Sequence, residues 1–78
     1  MNRKVIPFDQ NGEFHFNQGL KKTEQNKKQA ALKSFHKAFE LDQNNLAYLS
    51  QYAYLLAENG RGAEAEHILI NAFIQHQY

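Results

Sequence analysis

The chain has 78 residues, 42% of them hydrophobic and 22% charged, which bounds it to one small folded unit. It has no cysteine, so neither a disulfide framework nor a thiolate metal site can supplement a small core. No apolar run approaches the roughly 18 residues of a membrane span, and "VIPF" is too short for the apolar region of a signal peptide. The expectation is a cytoplasmic protein with no membrane association.

The net charge of +1 hides an asymmetry. Residues 1–39 hold eight Lys or Arg against three carboxylates, a balance of +5, and residues 40–78 hold Arg61 against five, a balance of −4. Such halves suit solvated helix faces, end-to-end electrostatic complementarity, or an anionic partner for the basic half.

In chain order, residues 1–11 stand outside the repeat and read as a frayed tail, or as an extended arm whose Ile6 and Phe8 pack on the first helix pair or in a neighbour's groove. Pro7 lacks an amide donor and biases Ile6 away from helix, and "DQNG" reads as a turn. A first helix is predicted over 13–24, with Phe14, Phe16 and Leu20 apolar and Gly19 on the packing side. A second is predicted over 28–41, its stripe formed by Ala31, Leu32, Phe35, Ala38, Phe39 and Leu41. "DQNN" ends it, and Asn45 can cap the next start. The third helix, 46–59, is rich in Leu and Tyr, and the fourth runs over 63–77.

The chain repeats itself at 34 residues. Ala31 recurs as Ala65, Ala38 as Ala72, Phe39 as Phe73 and Glu24 as Glu58, while Phe35 pairs with Leu69 and Gly19 with Ala53. Asn26 pairs with Gly60, the two residue types that most readily take the left-handed conformation in which helices often stop. The unit is helix, tight turn, helix, with small residues where paired helices must approach closely. Residues 12–45 form one unit and 46–78 the next.

A unit of this length with Gly19, Ala31, Phe35 and Ala38, then Ala53, Ala65, Leu69 and Ala72, is similar to the tetratricopeptide repeat (TPR). The family's tryptophan position holds His15 and Leu49, and its proline position Gln43 and Gln77. The resemblance implies an all-α fold of two repeats, four antiparallel helices in a right-handed solenoid fragment, cut from a longer array or standing as a chain of its own. It also implies a concave groove lined by first helices that binds a peptide or protein segment. The matching positions are Glu13, Phe16, Asn17, Leu20 and Glu24, then Ala47, Ser50, Gln51, Tyr54 and Glu58. Glu13 stands where a carboxylate clamp would want a lysine.

No catalytic constellation is evident. Ser34 and Ser50 have no base and orienting group, "ENGRGAE" lacks the rest of a phosphate loop, and "HKAFE" lacks a second histidine for zinc. His15, His36, His67 and His76 read as surface residues of helices. The expectations are no enzyme, no metal and no cofactor.

Two function classes follow. The first is a protein–protein interaction module, a scaffold or chaperone-like adaptor. The second is a nucleic-acid-binding repeat using Lys21, Lys22, Lys27, Lys28, Lys33 and Lys37, disfavoured because no arginine stands among them for base readout. Ser34, His36 and Glu40 become Ile68, Ile70 and Ile74 in the second copy. Two repeats are few for a stacked array, so these isoleucines are expected to form an apolar patch that self-associates as a homodimer, or that further repeats would cover.

Overall fold

The structure is a computed structural model, and residues 11–75 of it are described here. Four helices follow in order: α1 (Gly12–Glu24), α2 (Lys28–Leu41), α3 (Leu46–Glu58) and α4 (Gly62–Gln75). There is no strand among the described residues. The four starts and the ends of the first three helices match the expected ones to within one residue. The expected arm and the end of the last helix, with His76 and Gln77, lie outside the described residues, except that Asn11 caps α1.

The helix starts have a shared cause. Asn11 Oδ1 accepts the Glu13 amide at 2.7 Å, and Asn45 Oδ1 accepts those of Ala47 and Tyr48 at 3.0 and 3.2 Å. Each asparagine satisfies donors that the first turn leaves without a helical partner. Asn11 and Asn45 are themselves 34 residues apart, a recurrence that sequence reading passed over.

The stops of α1 and α3 also match. Asn26 has φ 64° and Gly60 φ 79°. At the first, the Asn26 amide donates to the Thr23 carbonyl (2.9 Å) and the Lys27 amide to Lys22 (2.8 Å). At the second, Gly60 donates to Ala57 (3.1 Å) and Arg61 to Leu56 (2.8 Å). This paired pattern is the Schellman motif, which needs one left-handed residue just past the helix.

Packing runs along the chain: α1 on α2, α2 on α3, α3 on α4. The turns of α1–α2 and α3–α4 are short, so each packed pair is a helical hairpin. The core is Ala31, Leu32, Phe35, Tyr52, Ala53, Leu55, Leu56 and Ala65, with Phe35 and Leu56 wholly buried. Gly19, Ala31, Ala38, Ala53 and Ala65 are all buried, as small residues at close helix approaches should be. Ala72 is the exception. It is half-buried beside an open cleft between α3 and α4 that no further helix among the described residues fills.

α3 seats on both members of the first hairpin. Tyr48 lies tilted against Phe16 of α1 at 5.0 Å, and Tyr52 stacks on Phe39 of α2 at 5.5 Å. Side-chain bonds add stitches: Lys22 Nζ donates to Ser34 Oγ (3.1 Å), Gln29 to Asn59 (2.7 Å), and Lys28 pairs with Glu58 (3.5 Å).

Candidate functional site

Helical spacing puts Glu13, Asn17, Leu20 and Glu24 in one row along α1, and all four are exposed. Their counterparts 34 residues on, Ala47, Gln51, Tyr54 and Glu58, form the same row on α3. Of these only Gln51 is half-buried, and Tyr54 has 58% of its surface open. α1 and α3 meet through Phe16 and Tyr48, so the two rows belong to neighbouring helices. Glu13 and Asn17 line one depression with Asn11, Phe14 and Gln18. The rows mix amide donors and acceptors with two exposed apolar side chains, Leu20 and Tyr54.

Three expected members behave differently. Phe16 is packed against the core, 5.5 Å from the Phe35 ring and 5.0 Å from Tyr48, so it is the seat for α3 and not groove lining. Ser50 is exposed, but its hydroxyl is spent on the Leu46 carbonyl at 2.7 Å. Glu58 is tied to Lys28 of α2.

The expected isoleucine patch also needs correction. Ile68 is half-buried and packs on the core. Its counterpart Ser34, read as an outer polar residue, is itself buried and accepts from Lys22, so this position faces the hairpin partner in both copies. Ile70 and Ile74 are exposed as expected, and Leu69 and Phe73 join them. The stripe Leu69, Ile70, Phe73 and Ile74 is continuous at helical spacing. Sequence reading left Leu69 and Phe73 out of the patch and aligned them only with Phe35 and Phe39. Those two are covered partly by α3, and α4 has no such cover among the described residues.

Two clefts flank this stripe. One, of about 490 Å³, is lined by residues including Ala57, Ala65, Glu66, Leu69 and Phe73. The other, of about 340 Å³, is lined by Leu46, Leu49, Ser50, Leu69, Ala72 and Phe73.

Among titratable groups, burial pushes the Tyr52 hydroxyl above its ordinary pKa of 10.0; Glu64 and Glu40 add to this and Arg61 opposes it. Tyr48 is raised too, by burial first and then by Glu13 and Asp42. His36 lies against Tyr52 and 3.7 Å from Glu40, and His67 lies 3.4 Å from Asn71. No group of three or more His, Asp or Glu that could hold a metal occurs among the described residues. No helix among them is long and apolar enough to cross a membrane.

No family model, curated protein or solved structure matches the chain.

Proposed function

We propose that the chain is a tetratricopeptide-like interaction module, a cytoplasmic scaffold or adaptor without catalysis, that takes a peptide or protein segment along the rows of α1 and α3. The observation that carries this reading is the matched pair of rows: Glu13, Asn17, Leu20 and Glu24 recur in register as Ala47, Gln51, Tyr54 and Glu58. An extended backbone laid across them meets amides at Asn17 and Gln51 and apolar surface at Leu20 and Tyr54. Recognition of that kind needs no deep pocket, since main-chain hydrogen bonds and a few apolar anchors supply it.

The test is selection from a random-peptide library displayed on phage, followed by titration of a recovered peptide. Binding should drop at least tenfold in Tyr54→Ala and in Asn17→Ala. It should change little between about 50 and 200 mM salt, whereas contacts to nucleic-acid phosphates would weaken steeply over that range. Recovery of no peptide sensitive to these substitutions would overturn the groove. Tight, steeply salt-dependent binding of single-stranded RNA would favour the lysine-based reading instead.

A further inference from the structure

The filled cleft of the first hairpin shows what the open cleft of the second lacks. Tyr48 lies against Gly12 and against the Phe16 ring, and Tyr52 beside it stacks on Phe39. Thirty-four residues on, Gly12, Phe16 and Phe39 become Leu46, Ser50 and Phe73, which line the open cleft between α3 and α4. So the second hairpin carries the same cleft in the same register, without the aromatic side chains that fill the first.

What could fill it from a second copy is restricted by polarity. A head-to-tail stack would lay the second copy's α1 there in the manner of α3. The α3 residues Tyr52 and Leu55, both buried, correspond on α1 to Gln18 and Lys21. Burying an unpaired lysine and an amide on a leucine–phenylalanine face is unfavourable. The exposed large apolar side chains of the described surface are Leu20, Leu41, Leu46, Tyr54, Leu69, Ile70, Phe73 and Ile74. Leu46 and the last four lie on this one face, so among the described residues it is also the main apolar surface a second copy can offer.

We propose that this face pairs with itself, and that the protein is a symmetric dimer in which α4 packs antiparallel on the partner's α4. Knob and hole stand side by side on one surface. Phe73, with 66% of its surface open, protrudes next to the cleft that it helps line. A two-fold axis through the middle of the stripe sends each Phe73 toward the other copy's cleft, the self-complementarity that an isologous interface requires. Antiparallel crossing also places the two copies of Glu66 at opposite ends, so these two carboxylates do not meet. Together the apolar side chains leave on the order of 400 Å² bare per chain, near the largest patch a monomer usually shows. Two such faces with their polar rims reach about the 1,000 Å² at which specific interfaces begin. The dimer does not depend on the α1–α3 groove, which lies on other residues.

Molar mass by light scattering and sedimentation equilibrium on the full chain, over a range of concentrations, tests the proposal. The parent should approach twice the 9.1 kDa chain mass and stop there. Ile70→Glu/Phe73→Glu should run as a monomer with an unchanged helical circular dichroism spectrum. Because the chain has no native cysteine, a second readout is available that leaves the face largely apolar. Ile70→Cys should form a disulfide-linked dimer under mild oxidation much faster than Lys37→Cys on exposed α2. A parent that stays monomeric, a mass that climbs past the dimer, a dimer that survives the double glutamate variant, or equal crosslinking by the two cysteines would each overturn the proposal.

Discussion

The Phe35 ring occupies the space that any side chain on Gly19 would need. A Cβ built on Gly19 would lie 2.5 Å from Phe35 Cε1 and 2.7 Å from Cδ1. Phe35 is wholly buried, so its ring has no solvent side into which to swing. Gly19→Ala should therefore destabilise the fold by roughly 1–3 kcal/mol through overpacking, despite alanine's better helix propensity. Chemical denaturation measures this, and Gly19→Ala should cost less in a Phe35→Leu background than in the parent. A variant as stable as the parent would show that α1 and α2 do not approach this closely.

The left-handed stops separate residue types. A Cβ on Gly60 meets nothing within 4 Å, so any cost there is conformational and not steric crowding. Gly60→Val should cost more than about 1 kcal/mol, because a β-branched residue resists positive φ. Asn26→Gly should stay within about 1 kcal/mol of the parent, since both residues accept this backbone. Equal melting temperatures for Gly60→Val and parent would contradict φ 79° at that residue.

Ala38 and Ala72 are the same residue in the repeat but not in the structure. Ala38 is wholly buried and Ala72 half-buried beside an open cleft. Ala38→Leu should lose roughly 1–3 kcal/mol, while Ala72→Leu should lose less than half as much. Equal losses would mean that the cleft between α3 and α4 is as tightly closed as the surroundings of Ala38.

Alkaline pH should weaken the fold through Tyr52 and Tyr48. Both are held above 10.0, with burial the largest cause, so the folded state keeps protons that the unfolded state releases. Their contribution is complete below pH 10 and is lost as pH rises through the folded-state values. The melting temperature should fall above about pH 10, and less steeply in Tyr52→Phe, which keeps the ring against Phe39 and His36. A parent and variant falling in parallel would remove Tyr52 from the account.

Much of this was legible in the sequence because local chemistry decides it. Asn45 as a cap, and Asn26 and Gly60 as stops, depend only on neighbouring backbone. Small residues at 34-residue intervals reported close helix approach, apart from Ala72. The site was less legible, since exposure depends on what a helix face meets. Phe16 sits in the same helix as Leu20, yet one carries α3 and the other faces solvent. Ser34 looked like surface because serine is polar, and only the reach of Lys22 from α1 makes its burial affordable. Leu69 and Phe73 were not read as part of the apolar patch, because they align with Phe35 and Phe39 and nothing in the sequence says which helix face lacks a cover.

The two kinds of connection in the chain differ in how much extra length they can absorb. Residues 25–27 and 59–61 are committed to a left-handed residue at a fixed place, with carbonyl partners counted back along the helix. The link between α2 and α3 has no positive φ, and Asn45 secures α3 from its own side chain. Extra residues placed between Gln43 and Asn44 would leave that cap intact. Closing a longer flexible loop costs only about 0.6 kcal/mol per doubling of its length. That exposed joint is therefore where a tether, an epitope or a new pair of chain ends can be introduced, with both helical hairpins still formed by their own turns.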